Sequence, residues 1–240
     1  MRYAIISDIH ANLEALQAVL EDIEKREIKD YICLGDIAGY GAEPNECIDI
    51  VRGLNCPCIL GNHDAGAIGT TDIGRFNSAA RTAVEYHKEI LTDENREYLS
   101  KLKLVDRIET FTIVHANLED PPEWGYIFNS GEAEHYFQYQ KDKVCFFGHT
   151  HFQSCFQNNT MTPFSKPSKI KIKPGHKYLI NVGSVGQPRD GNPEAAYGIY
   201  DLETNTVTLC RVPYDIEIAQ QKMLDADLPN ILALRLAIGK

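Results

Sequence analysis

The stretch Tyr3-Ala-Ile-Ile-Ser-Asp-Ile-His10 starts as a short apolar run and ends in a carboxylate and an imidazole. Four apolar residues between polar neighbours are too few for a helix and read as a strand buried on both faces. The same form recurs at Tyr31–Leu34, Cys58–Leu60, Phe111–Val114, Val144–Phe147 and Tyr178–Ile180. Each run passes at once into glycine or a polar residue: Gly35-Asp36, Gly61-Asn62, His115, Gly148-His149 and Asn181-Val-Gly183. Side chains just past the carboxyl ends of such strands collect in one crevice. Residues far apart in the chain are therefore expected to meet at one sheet edge.

Helical periodicity fills the gaps. Leu13, Leu16, Leu20 and Ile23 share a helix face, with Asn12 at the N-cap position. Pro44 opens a second helix running to about Arg52, and residues 75–102 read as one long or two short helices. From Val144 to Arg211 the runs are strand-like, separated by turns at Asn158-Asn159, Pro174-Gly175 and Glu203-Thr-Asn205, which predicts a mostly antiparallel sheet. Residues 214–238 return to helix, broken at Pro229. The expectation is a single α/β domain over 1–240, with two sheets packed face to face, helices outside, and a C-terminal helical pair.

With 240 residues, 43% of them hydrophobic, the chain can bury one sizeable core. A net charge of −10 argues against nonspecific binding to nucleic acid or anionic membranes. The 7 cysteines form no regular framework, and Cys56-Pro-Cys58 reads as strand thiols rather than a metal site. No apolar run is long enough to span a bilayer, and the N-terminus enters directly into a strand; a reducing cytoplasm is the expected setting.

Aspartate and histidine suit borderline divalent metals. Asp8 and His10, two apart at a strand end, can point to one side; Asp36 can bridge two ions; Asn62 offers an amide oxygen; His115, His149 and His151 add imidazoles. A bridged pair of ions can share a hydroxide that attacks a phosphate ester.

The motifs Asp8-Ile-His10, Gly35-Asp36, Gly61-Asn-His-Asp64, His115 and Gly148-His-Thr-His151 resemble, in order, those of the calcineurin-like metallophosphoesterase superfamily. The later segment Asn181-Val-Gly-Ser-Val-Gly-Gln-Pro-Arg-Asp-Gly191 resembles its small bacterial phosphodiesterase members. The resemblance implies a four-layer αββα sandwich of two mixed sheets flanked by helices. It implies one metal held by Asp8, His10, Asp36 and His151, and a second by Asp36, Asn62, His115 and His149. Two divalent ions are expected, from among manganese, iron, zinc, nickel and magnesium, with manganese favoured. The superfamily pattern carries a second aspartate where this chain has Gly39. In the protein phosphatases that aspartate supports the histidine of the Gly-Asn-His motif, so Gly39 argues against a close protein-phosphatase relative and leaves His63 without an assigned partner.

His63 and Asp36 are the expected catalytic residues, His63 donating a proton to the leaving oxygen or stabilising phosphoryl charge. Arg189 is a candidate for phosphate oxygens, against an exposed turn or oligomer contact. Asn12 and Tyr40 are candidate substrate contacts; for Asn12 the helix cap explains the residue equally well. Asn117 is a similar, weaker candidate. His87, His135 and His176 fit surface or structural roles. Lys166, Lys169, Lys171, Lys173 and Lys177 alternate with Ile170 and Ile172 as in an edge strand guarded by charge. Trp124 either faces substrate or pins a loop. The C-terminal helices either mediate an oligomer or cover the sheet.

The leading expectation is hydrolysis of a small phosphate ester or nucleotide, most readily a phosphodiester. The rivals are a phosphomonoesterase or dinucleoside polyphosphate hydrolase, and a catalytically silent scaffold such as the retromer sorting subunit of this fold. Completeness of the ligand set favours catalysis. Substrate choice is expected to rest with the loops around Tyr40, residues 65–74 and residues 117–130.

Overall fold

In the computed structural model, which describes residues 1–158 and 168–240, five of the six apolar runs become strands of two five-stranded sheets. The strands are β1 (Arg2–Ile6), β2 (Asp30–Cys33), β3 (Val105–Ile108), β4 (Phe111–Val114), β5 (Val144–Phe147), β6 (Gln153–Gln157), β7 (Lys169–Lys171), β8 (Tyr178–Val182), β9 (Ala195–Asp201) and β10 (Thr206–Val212). The helices are α1 (Leu13–Lys25), α2 (Pro44–Gly53), α3 (Asn62–Ala67), α4 (Ser78–Ile90), α5 (Asp93–Ser100), α6 (Ser130–Tyr136), α7 (Ile216–Asp225) and α8 (Asn230–Leu236).

One sheet runs β2-β1-β9-β10-β7 and the other β3-β4-β5-β8-β6. Alternation along each strand sorts the core into layers. Tyr3 and Ile5 of β1 pack between the sheets with Phe111, Phe146, Ile180 and Tyr200, whereas Ala4 and Ile6 face Leu16 and Val19 of α1 and Ile48 of α2. In the second sheet Val144 and Phe146 turn inward, while Cys145, Phe147 and Leu179 turn out toward Ala133 of α6 and Phe137. The result is the four-layer helix–sheet–sheet–helix sandwich. The C-terminal pair α7 and α8 packs with α4 in a further apolar cluster that includes Tyr40.

From Val144 to Arg211 the pairing is mostly antiparallel, as expected: β6 with β8, β7 with β10 and β9 with β10 run antiparallel, and β5 pairs parallel with β8. These strands divide between the two sheets, and β5 also pairs parallel with β4 across the segment that carries α6. Two points differ from expectation. The run Cys58–Leu60 makes only isolated bridges, at Cys58 with Cys33 and at Ile59 with Lys103, rather than a strand. Strand β3 was not expected; its sequence, Val-Asp-Arg-Ile, has too little apolar character to stand out at a sheet edge. The charged stretch does form edge strand β7, with Lys169 and Lys171 exposed and Ile170 buried. Lys166 and the second residue of the Asn158-Asn159 turn lie outside the described residues.

Candidate metal centre

The carboxyl ends of β1 and β2 in one sheet, and of β4 and β5 in the other, open onto the same place. Backbone bonds lace these ends together: Asp8 N–H donates to Gly35 O at 3.0 Å, His10 N–H to Asp36 O at 3.0 Å, and Gly148 N–H to His115 O at 2.9 Å. The turns are tight. Asp8, His10, Asp36, His149 and His151 all have φ between 50° and 65°, the left-handed region that non-glycine residues rarely adopt. Strain of this kind, gathered on the polar residues of one crevice, marks a functional constraint. Gly61 is required there, since a Cβ would lie 2.1 Å from the Asp36 carboxylate.

Asp8, His10 and His151 come together, as do Asp36, His115 and His149; His10, Asp36 and His63 form a third group between them. All of these side chains are buried. The Asn62 amide oxygen lies 3.2 Å from His115 Nε2. Three histidines donate Nδ1–H to a backbone carbonyl: His10 to Ala38 at 3.0 Å, His115 to Leu34 at 2.7 Å and His151 to Gln187 at 2.6 Å. A carbonyl only accepts, so each imidazole turns its Nε2 into the crevice.

The inward atoms then confront one another. His10 Nε2 and His151 Nε2 are 3.0 Å apart, and His151 Nε2 is 3.3 Å from Asp8 Oδ1. Asp36 Oδ2 lies 3.7 Å from His10 Nε2 and 3.3 Å from His115 Nε2, and has no hydrogen-bond donor; His149 Nε2 has no partner either. Lone pairs held this close in a dry pocket repel unless a cation lies among them. In the metal-free protein a proton partly fills that need. Burial opposes charge on His115, yet the Asp36 carboxylate pushes its pKa up to about 9. Burial, with His151 adding to it, holds His10 well below its usual range. Burial would raise Asp36, but His115 and His63 outweigh it and hold the carboxyl well below normal. The donor set and its orphaned atoms fit divalent cations.

Behind these side chains lies a layer of positioning groups. Ser7 Oγ donates to Asp8 Oδ2 at 2.6 Å, and His149 N–H donates to both Asp8 oxygens at 3.1 Å. Asp36 Oδ1 accepts His63 N–H at 2.8 Å, leaving Oδ2 for the crevice. Ser184 Oγ donates to Asp8 O, and Asn181 Nδ2 to Gly148 O and Thr150 Oγ1. Individual roles for Ser7, Asn181, Ser184 and Gln187 were missed from sequence; the polar, glycine-rich density of 181–191 was the available signal.

His63 sits beneath Tyr40, with ring centroids 4.4 Å apart, and beside His10 at 4.9 Å and Phe76 at 4.9 Å. Asp64 is not its partner: that carboxylate accepts Ala38 N–H at 2.8 Å and Gly61 N–H at 3.2 Å. Burial depresses His63 to about 4, with Arg189 adding to the effect, so the ring is neutral at pH 7. The Arg189 guanidinium lies 5.2 Å over the Tyr40 ring, with one nitrogen on Gln187 Oε1 at 2.9 Å. Asn12 has both ends committed, accepting Ala15 N–H as the α1 cap and donating to Gly186 O. Asn117 likewise closes its own loop through Glu119, Asp120 and Gly125. Of the remaining histidines, His135 is exposed against Glu119, His176 accepts from Gln157, and His87 is buried.

The model of the calcineurin-like phosphoesterase superfamily domain matches residues 1–205. The chain belongs to that superfamily. It is 41% identical over 243 residues to an uncharacterized protein of Methanocaldococcus jannaschii, covering 99% of this chain and 98% of the relative. Among solved structures it is similar to a metallophosphoesterase from Sphaerobacter thermophilus, with a TM-score of 0.90, 38% identity, and coverage of 100% and 99% of the two chains. A hypothetical protein from Pyrococcus horikoshii shares the fold at a TM-score of 0.83 and 22% identity, with coverage of 100% and 98%. The superfamily is one of metallophosphoesterases, and the Asp/His clusters of this chain are candidate metal ligands. No helix among the described residues is long and apolar enough to cross a membrane.

Proposed function

We propose that this protein is a two-metal phosphodiesterase. The observation that carries the reading is the set of inward acceptors whose tautomers are fixed from behind, in which Asp36 Oδ2 stands between His10 and His115. Asp8, His10, Asp36 and His151 would hold one divalent ion; Asp36, Asn62, His115 and His149 would hold the other. Bound there, two ions, manganese foremost, supply the Lewis acidity that makes water nucleophilic at neutral pH and neutralises phosphoryl charge.

The chain's own groups do the rest. Asp36 keeps one oxygen on His63 N–H, so the catalytic imidazole and the shared ligand move as one unit. His63, neutral and wedged between Tyr40 and Phe76, donates a hydrogen bond to the oxygen that leaves. Arg189, steadied by Tyr40 and Gln187, presents its fork to phosphoryl oxygens. The preference for diesters rests on the likeness of 181–191 to small bacterial phosphodiesterases. A cytoplasmic setting accords with seven free thiols.

The test is metal analysis together with turnover of bis-p-nitrophenyl phosphate. The protein loaded with manganese is expected to carry two ions per chain and to cleave the diester faster than p-nitrophenyl phosphate, with Asp36→Asn inactive. One ion at saturation, or no cleavage of any phosphate ester with any of the five metals, defeats the proposal.

A further inference from the structure

A cleft of about 980 Å³ opens directly from the metal centre. Its inner end is formed by Asn62, His63 and His149, and its outer walls include Phe76, Trp124 and Tyr126. Phe76 follows the 3-10 turn Ile73–Arg75, and Trp124 follows the 3-10 turn Pro121–Glu123. Each aromatic wall is anchored on a histidine of the site. Phe76 packs on His63 at 4.9 Å, Trp124 stands edge-on to His115 at 5.9 Å, and Tyr126 stacks on His149 at 4.2 Å. The volume is that of a small-molecule site, several times what a phosphoryl group needs.

We propose, building on the phosphoesterase reading, that this cleft binds the leaving alcohol of the substrate and that this alcohol carries a planar, uncharged ring. Position supports the first half. A phosphorus held by the metal ligands and facing His63 has its departing oxygen on the His63 side, and whatever that oxygen carries extends into the cleft. The walls support the ring. Phe76 on one turn and Trp124 with Tyr126 on the other present aromatic surface to the same space, and stacking between such walls favours a flat group over an aliphatic one.

Charge decides against a polyphosphate. Beyond the histidines, the charged lining residues are Asp72, Arg75 and Glu123. Arg75 already pairs with Glu123 at 2.8 Å, joining the two turns across exposed side chains. Asp72, whose Oδ1 accepts Gly74 N–H, adds a second carboxylate to the wall. A second phosphate in the cleft would meet two carboxylates and one engaged guanidinium. A neutral alcohol meets no such penalty. The shared chemistry, a flat ring on an uncharged alcohol, covers a nucleoside and a simple phenol.

Trp124 is the single tryptophan of the chain, so its emission reports the cleft directly. Full-length protein loaded with spectroscopically silent zinc is titrated with adenosine, phenol and ribose, and the metal-free protein with adenosine and ADP so that phosphate meets no bound cation, exciting at the red edge of the indole band. Adenosine or phenol is expected to change Trp124 emission saturably and to bind at least tenfold tighter than ribose, with ADP no tighter than adenosine. Phe76→Leu, which keeps apolar bulk but removes the ring, is expected to weaken the ring-bearing ligand by roughly fivefold or more. Tight adenosine with weak phenol assigns a nucleoside; the reverse assigns an aryl alcohol. Equal binding of ribose and the ring compounds, no saturable signal, tighter binding of ADP, or an unaffected Phe76→Leu variant each overturns the proposal. Turnover of bis-p-nitrophenyl phosphate in the same preparation separates the two readings. Turnover without ring preference removes the cleft assignment alone, and ring binding without turnover removes the catalytic one alone.

Discussion

Gly39 and His63 explain each other. A Cβ on Gly39 would lie 2.5 Å from His63 Nδ1 and 2.8 Å from His10 Nδ1, and its φ of +100° is open to glycine alone. The aspartate that other superfamily members carry at this position has no room here; the Tyr40 ring covers His63 instead. His63 Nδ1 is buried without a partner, so no carboxylate charges the ring in advance. On the proposed mechanism the imidazole would act as a neutral donor, and its value would grow with the charge that develops on the leaving oxygen. His63→Ala is expected to lower kcat by about 10²- to 10³-fold for an alkyl leaving group, and by much less for p-nitrophenol. Equal losses for both leaving groups, measured by steady-state kinetics, would assign His63 to phosphoryl binding rather than departure.

At the scale of elements, α4 does what the site's own strands cannot. His87, on this helix, accepts Gly39 N–H at Nδ1 over 2.9 Å and donates from Nε2 to Gly41 O over 2.8 Å. It clasps the loop that carries Tyr40, and sequence showed it only as a histidine outside the motifs. Burial depresses its pKa to about 4 from the usual 6.5, so the folded protein keeps it neutral. The unfolded chain takes up a proton at higher pH than the folded one does. The His87 contribution is therefore complete above pH 6.5 and is lost as pH falls toward 4, to a limit of roughly 3 kcal/mol. His87→Leu lacks this titration. The stability gap between the parent and His87→Leu, measured by urea unfolding of metal-free protein, is expected to narrow steadily from pH 7 to pH 4.5. A constant gap would show that the imidazole is not held neutral. Helix α3 contributes differently: its Asp64 ties Gly61 to Ala38, so the Asn62 turn and the Asp36 loop are joined by one buried carboxylate.

For the whole molecule, the Asp/His cluster bears on stability as well as on the proposed reaction. In the metal-free protein the raised pKa of His115, about 9, stabilises the fold fully below pH 6.5 and fades as pH climbs through 9. A divalent ion bound there would take over the role of that proton and expel it. Metal is thus expected to bind more tightly at pH 8.5 than at pH 7, with proton release measurable by calorimetry in buffers of different ionisation heat. At a hundredfold excess over Kd the ion adds about 2.7 kcal/mol to unfolding stability. Chelation is expected to lower Tm, and manganese to restore it more fully at the higher pH. A Tm indifferent to chelator would contradict a resident metal.

What could be read along the chain was whatever depends on neighbours in sequence. Buried runs such as Phe111–Val114, the Asn12 cap, Pro44 at a helix start and the Pro229 break all follow from local pattern and chemistry. The polar residues that meet in the crevice were legible as a set, because most of them lie within a few positions of a strand end. Tertiary structure alone decided the partners. It paired β5 in parallel with β4 and β8, placed β9 between β1 and β10, closed Gly39 against His63, brought His87 from α4 onto the Tyr40 loop, and set Phe76 and Trp124 in the walls of one cleft. The physical reason is that local propensity acts within a few residues, whereas hydrogen-bond partners, cleft walls and pKa shifts arise from groups dozens to hundreds of positions away that meet only when both sheets close on one core.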